Sequence, residues 1–310
     1  MRMFSGTSSS AGALLVKIAT IGDDEAIRRD STPKTIGVMV MAKGNRIKHF
    51  MLALGISLVY LQQAHADEGA DLAKQLANPI SSLISVPIQI NYDEGYGATG
   101  DGSVWRTNIQ PVVPITLNSE WNLISRTILP VINQDDVPAP GLGESGIGDI
   151  VQSLFFSPVQ PTANGIIWGA GPVFLLDSAS DDALGAGKWG IGPTGVALKQ
   201  TGPWTYGALA NHIWSVGGDS TRPDVNATFL QPFVAYITPT KTTFSLNTES
   251  TYDWENKQWS VPINLTATQL IKVGNQMMSV GGGFRYWADS PNGGPDDWGL
   301  RLIVTFLFPK

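Results

Sequence analysis

Between residues 79 and 308 one pattern repeats: a segment of strand length in which apolar and polar side chains alternate, then a polar gap. Twelve such segments cover 83–92, 104–116, 121–132, 146–156, 165–176, 188–199, 204–216, 226–237, 242–252, 259–271, 276–288 and 298–308. Each is close to the roughly 9–11 residues with which a tilted strand crosses a bilayer. In the first, Ile84, Val86, Ile88, Ile90 and Tyr92 share one face, and Ser85, Gln89 and Asn91 the other. In the second, Trp105, Ile109, Val113 and Ile115 oppose Arg106, Asn108 and Gln110. In the tenth, Trp259, Val261, Ile263 and Leu265 oppose Ser260, Asn264 and Thr266. The last sets Trp298, Leu300, Leu302, Val304, Phe306 and Phe308 against Gly299, Arg301 and Thr305. A period of two is the mark of a strand with two unlike faces. The fifth and eighth segments are ambiguous by this test.

The gaps alternate as well. Those at 93–103, 133–145, 177–187, 217–225, 253–258 and 289–297 are long and acidic; those at 117–120, 157–164, 200–203, 238–241 and 272–275 are short. Long loops at one rim and tight turns at the other are what an outer-membrane barrel has. An even count returns both termini to the short-turn rim. The expected fold is all-β: a transmembrane up-and-down antiparallel β-barrel of about twelve strands, preceded by a short N-terminal helix. A water-soluble sandwich is the alternative. Prolines inside the segments (Pro87, Pro111, Pro172, Pro193, Pro232, Pro262) lack a ladder donor, so bulges or a locally opened wall are expected there.

Tryptophan follows the same rhythm. Trp105, Trp189, Trp214, Trp254, Trp259, Trp287 and Trp298 lie beside long gaps; Trp121, Trp168 and Trp204 lie beside short ones. Indoles favour the membrane interface, having an apolar body and a polar N–H, so two girdles are expected.

The N-terminal part reads differently. Lys43, Arg46 and Lys48 precede an apolar run over 50–61, and Ala64-His65-Ala66 follows as a small-x-small site. Residues 39–66 thus read as a secretory signal peptide cleaved after Ala66, with 1–38 a mis-annotated or disordered extension. Residues 67–78 read as a helix with Leu72, Ala73 and Leu76 on one side and Pro79 as its stop, plugging the lumen or lying at its rim. The barrel would then occupy 79–310.

Composition narrows the chemistry. Removing residues 1–66 takes away 8 of the 20 Lys and Arg and 4 of the 26 Asp and Glu, leaving 12 against 22 and a net charge of −10. Nucleic acid, which requires basic patches, is not an expected partner. There is no cysteine, and His212 is the one histidine past residue 66, so thiolate chemistry and His- or Cys-built metal sites are not expected. No G-x-S-x-G elbow accompanies His212, which reads as a wall or rim residue rather than a catalytic base. The acidic gaps read as solvated loops, with calcium as the alternative. No enzyme activity, cofactor or metal is expected.

Alternation instead directs Arg106, Arg126, Arg285 and Arg301 inward. If the last strand closes on the first, they share one side of the lumen, with Gln89, Asn91, Asn108 and Gln110 between them. Stripes of charge inside pores tune which solutes pass. The alternative is that the arginines pair with Glu249, Asp149 or loop acids and fill the lumen. Ile128, Leu307 and the glycine run 281–283 would leave room for an apolar solute. The lumen or selectivity candidates are Arg106, Arg126, Arg285, Arg301, Gln89, Asn108 and Glu249. The girdle candidates are Trp105, Trp121, Trp189, Trp204, Trp259 and Trp298.

The runs IQPVVP (109–114) and NSEWNLISRTILP (118–130), with GIGDIVQSLFFSP, WGAGP, GKWGIGP, IWS, LQPF and WGLR further on, resemble the outer-membrane family named for the MetA pathway of phenol degradation. The resemblance spans nearly all of 79–308. It implies a Gram-negative outer-membrane barrel of transporter type, with aromatic compounds as the solutes, and it brings no catalytic residues. One departure is the ending, where Phe308 is followed by Pro309 and Lys310. The function expected is passive uptake of small solutes, aromatic or hydrophobic ones among them. Expected partners are that solute, outer-membrane lipid and the barrel-assembly machinery. A structural or adhesive barrel is the runner-up, and an outer-membrane lipid-modifying enzyme the third reading.

Overall fold

The computed structural model describes residues 66–309. The extension 1–38 and the signal peptide 39–66 lie outside these residues, except for Ala66. One helix, α1 (Ala66–Leu76), precedes fifteen strand segments. They are β1 (Ile84–Tyr96), β2 (Gly102–Ile109), β3 (Val112–Thr116), β4 (Trp121–Asp135), β5 (Ser145–Ile147), β6 (Ile150–Pro158), β7 (Ile166–Leu176) and β8 (Lys188–Thr201). Then follow β9 (Trp204–Gly218), β10 (Asn226–Ile237), β11 (Thr242–Thr248), β12 (Ser250–Asp253), β13 (Gln258–Val273), β14 (Gln276–Asp289) and β15 (Trp298–Phe308).

Three pairs of segments are single wall strands with an interruption. Both β2 and β3 pair with β1 and β4; β5 and β6 both pair with β4; β11 and β12 both pair with β10 and β13. That leaves twelve wall strands, each antiparallel to its sequence neighbours. Closure comes from β1 against β15, in register from Ile84↔Phe308 to Tyr92↔Leu300. A closed ladder leaves no strand edge, so no row of backbone groups faces lipid unpaired.

Proline explains two of the interruptions. Gln110–Pro111, between β2 and β3, lies opposite Val86–Pro87. Glu249, between β11 and β12, lies opposite Pro262 of β13 and, on β10, opposite Gln231 next to Pro232; its amide reaches Pro262 O at 3.3 Å. Pro172 and Pro193 face each other across β7 and β8. Missing donors are thereby grouped, and the ladder stays continuous elsewhere.

The rims match the expected alternation. Connections at 117–120, 202–203, 238–241 and 274–275 are short and 159–165 is intermediate; at the other rim 136–144, 177–187, 219–225 and 290–297 are longer, while 97–101 and 254–257 are shortened because their strands run on. Gly202 (φ 57°) and Gly274 (φ 60°) take left-handed conformations that let two-residue turns close. The strands outrun the sequence reading at the long-loop rim. β1 continues through Asp93 and Glu94 to Tyr96, and β4 runs to Asp135. Beyond the apolar belt a strand no longer needs an apolar face, so polar residues mark the end of the belt and not of the strand.

The outer face is apolar. Ile115, Phe156, Ile166, Ile191, Phe244, Leu246, Ile263, Leu265 and Phe284 are all exposed there. The six girdle candidates lie on the wall, Trp298 being 63% exposed. Four girdle pairs are direct cross-strand neighbours: Tyr92–Trp105, Tyr252–Trp259 and Tyr286–Trp298 towards the long loops, and Trp204–Tyr236 at the short turns. Trp121 meets Trp168 edge-on at 5.9 Å. Trp287 departs from the expected girdle. It points inward, donates its indole N–H to Asp93 Oδ1 at 2.9 Å, and lies under the Arg285 guanidinium at 4.8 Å. A buried arginine and aspartate there supply what an interfacial indole would otherwise find in water.

Candidate functional site: the lumen

Strand register fixes what faces inward, and the lumen has two unlike arcs. The polar arc is carried by β13, β14, β15, β1, β2 and β4. Asn91 stands opposite both Arg106 and Arg301, and Gln89 opposite Asn108. All four predicted arginines point into the lumen, on contiguous wall strands, but they are not equivalent. Arg301, 1% exposed, gives two parallel hydrogen bonds to Glu249 (Nη1–Oε1 2.9 Å, Nη2–Oε2 2.7 Å) and a third from Nε to Asn91 Oδ1 at 2.7 Å. Such forked, charge-assisted pairs are among the stronger polar contacts. Arg285 lies 3.4 Å from Asp93 Oδ2. These two are the filled, paired arginines of the alternative reading, with Glu249 the named partner and Asp93 one of the loop acids.

Among the described residues, Arg126 and Arg106 have no carboxylate within ion-pair distance. Arg126 makes one hydrogen bond, from Nη2 to Gln110 Oε1 at 2.9 Å. Gln110 is oriented in turn by donating Nε2 to Gln89 Oε1 at 2.8 Å. Arg106 is exposed and borders a cavity of about 350 Å³ towards the long loops. The inward glycines Gly281 and Gly283 do more than leave space: a Cβ at either would run into the carbonyl oxygen of Ala267 or Leu265 on β13.

The other arc is apolar, well beyond the inward Ile128 and Leu307 expected from the sequence. Ile124 on β4, Phe155 on β6, Val196 and Leu198 on β8 and Leu209 on β9 form one buried cluster with Val112 and Ile80, joined by Ile167, Phe229 and Phe233. The register puts Phe155 opposite Ile124 and Leu198 opposite Ile167, all inward. This explains the ambiguous fifth and eighth segments, β7 and β10. Their inner and outer faces are both apolar, so no alternation shows.

Both mouths are narrowed by the chain itself. At the short-turn rim, α1 lies inside the wall. Leu72 packs with Leu83, Leu270 and Leu307, and Leu76 and Met277 join them. From the facing wall, Gln200 Nε2 donates to Lys74 O at 2.8 Å. A helix of 11 residues is about 16 Å long, enough to reach across a narrow lumen. At the long-loop rim, 177–187 folds inward. Leu184 is buried on Val104 and Ile132. Asp149, at the β5–β6 interruption, accepts hydrogen bonds from the amides of Ser178 (3.2 Å), Ala179 (3.1 Å) and Ala186 (2.6 Å). Arg222 Nη2 donates to the carbonyls of Asp182 and Gly185.

Asp149 was read as an arginine partner; it is a loop anchor instead. The signal for that role is a carboxylate that follows two glycines and opens an apolar strand (Gly146-Ile-Gly-Asp149). Nearby, Lys188 pairs with Asp224 at 2.9 Å, and hydrogen bonds from Lys188 and Ser215 hold the Asp224 carboxyl below its ordinary range. Asp219 is lowered likewise by the amide and hydroxyl of Thr221. His212 faces outward under the girdle, its Nδ1 2.7 Å from Thr228 Oγ1 and its ring beside Trp214. Among the described residues no cluster of acids or histidines converges as a metal site.

Comparison with known structures places the fold. An outer-membrane channel from Pseudomonas putida F1 superposes with a TM-score of 0.57 at 16% identity, over 73% of this chain and 96% of that one. The NanC porin aligns with a TM-score of 0.44 at 12% identity, over 73% of this chain and all of that one. No protein-family model matches the sequence, and no curated protein matches it.

Proposed function

We propose that the protein is an outer-membrane channel through which small solutes pass by diffusion. The observation that carries this reading is the wall: closed by β1 and β15, apolar outside with aromatic rings towards both rims, and lined inside by unpaired arginines and cavities. The barrel of the Pseudomonas putida channel supports it. Long loops then face the exterior and short turns the periplasm, which fits export through the signal peptide at 39–66. Aromatic or hydrophobic compounds are the solute class suggested by the resemblance to the MetA-pathway family. The apolar inner arc favours that class over sugars, because it offers contact area with few hydrogen-bonding groups. No chemistry is assigned to the lumen, since its arginines and amides include no nucleophile paired with a base.

Single-channel recording on the purified chain in planar bilayers tests the reading. Discrete ion-conducting steps are expected, raised severalfold by Leu72→Ser with Leu76→Ser, which loosens α1 from the wall. A bilayer that stays silent with both proteins inserted contradicts it.

A further inference from the structure

We infer that the lumen holds a binding site for a monocarboxylate with an apolar body, centred on Arg126. The inference deepens the channel reading above and rests on it.

A cavity of about 240 Å³ lies between α1 and the middle of the barrel. Arg126, Arg301 and Gln110 border it on one side, and Val112, Phe233 and Leu76 on others. The two arginines differ in what they can offer. Arg301 is spent on Glu249 and Asn91. Among the described residues Arg126 has one neutral hydrogen-bond partner, Gln110, on Nη2, and its side chain borders the cavity. A guanidinium held in place but lacking a counter-ion is suited to a ligand carboxylate, which it can meet with two parallel hydrogen bonds.

Charge count sets the valence. Among the described ionised groups at this level, Arg301, Arg285 and Arg126 face Glu249, Arg285 has a second carboxylate in Asp93, and Glu249 acts on Arg126 electrostatically without pairing with it. The surplus is one positive charge. A monoanion neutralises it; a phosphate dianion would leave a negative charge beside Glu249. The remainder of the ligand is set by the opposite wall. Phe233, half-buried on β10, faces the cavity from there, and buried Val112, the cross-strand neighbour of Arg126 on β3, adds apolar surface beside the guanidinium, so an aromatic or short aliphatic body gains there what a sugar acid would not. Gln89 and Gln110 supply the orientation: the amide chain aims the Gln110 carbonyl at Nη2 and leaves Nη1 and Nε for the ligand.

Titration calorimetry on the full chain in a non-ionic detergent, with benzoate as probe, tests this. Benzoate is expected to bind at one site at least tenfold more tightly than benzamide, its neutral counterpart, and than inorganic phosphate. Arg126→Gln is expected to reduce benzoate binding to the benzamide level, and Arg126→Lys to restore most of it. Arg126→Gln protein that keeps its heat-shifted mobility on gels is folded; if that variant does not fold, the benzamide and phosphate comparisons on the unsubstituted chain still decide. Benzamide or phosphate binding as tightly as benzoate overturns the inference, as does unaltered benzoate affinity in folded Arg126→Gln. Conductance separates the two readings. A chain that conducts but ignores benzoate removes the carboxylate site and leaves the channel; a silent chain removes the channel.

Discussion

The two arcs of the lumen are built from the same wall and do opposite things. Along β6–β9 the inward side chains Phe155, Val173, Val196, Leu198 and Leu209 pack like the core of a soluble protein, with Ile80 laid over them. Across the lumen, β13–β15 and β1–β2 present Asn264, Arg285, Arg301, Asn91 and Asp93, all buried, held by ion pairs and amides. The apolar arc gains by excluding water; in the polar arc the buried Arg285 and Arg301 are held only as long as each keeps its carboxylate. Stability should therefore reside in both arcs and selectivity in one.

Breaking the polar arc is expected to do the most damage. Glu249→Ala leaves the Arg301 guanidinium buried with no counter-charge, a loss of about 3–5 kcal/mol. Adding Arg301→Met should recover most of it, and urea unfolding in detergent or lipid vesicles reads both. An equal cost for the single and double variants would show that packing, not charge, governs this arc.

On the apolar side, Leu198→Ala is expected to cost about 2–4 kcal/mol through lost burial and the cavity left behind. Its reversal potential under a salt gradient should match that of the unsubstituted chain. A shift in selectivity would mean that the two arcs do not divide the work.

Arg106→Ala should act in the reverse sense. Unfolding should move by less than about 0.5 kcal/mol, as for an exposed side chain with no partner. The reversal potential should shift towards cations, because an unpaired positive charge leaves the outer cavity. No shift would retire Arg106 as a selectivity residue.

The smallest effect belongs to the Lys188–Asp224 pair at the rim. The Asp224 carboxyl is lowered in the folded state, so its contribution is present above the ordinary carboxylate range. It is lost as pH falls through the depressed value. Asp224→Asn should lower stability slightly at neutral pH and not at all once the acid is protonated. A difference that persists in acid would contradict the pairing.

Much of this architecture is legible in the sequence because a membrane wall imposes two constraints at once. An apolar outer face forces the period of two, and alternating rims force the loop rhythm; the twelve strands follow from both. The inward direction of Arg106, Arg126, Arg285 and Arg301 follows from the same periodicity. Partners do not. Asp93 reads as the first residue of a loop, yet it sits in β1 and takes up Arg285 and Trp287. Glu249 pairs with Arg301 from a strand distant in sequence, placed there by an interruption beside prolines on both neighbouring strands. The apolar arc is hidden for another reason: where both faces are apolar, β7 and β10 lose the signal that identifies the others. Loop 177–187 reads as solvated because its acids are visible and the single Leu184 that draws it inward is not distinctive.

Liposome swelling with uncharged solutes of graded size tests the central claim most directly, since it needs neither a variant nor a chosen ligand. Vesicles holding the protein are expected to swell in small solutes and to stop at a sharp size limit set by α1 and loop 177–187. Swelling no faster than in protein-free vesicles, across the whole series, would contradict a route through this lumen.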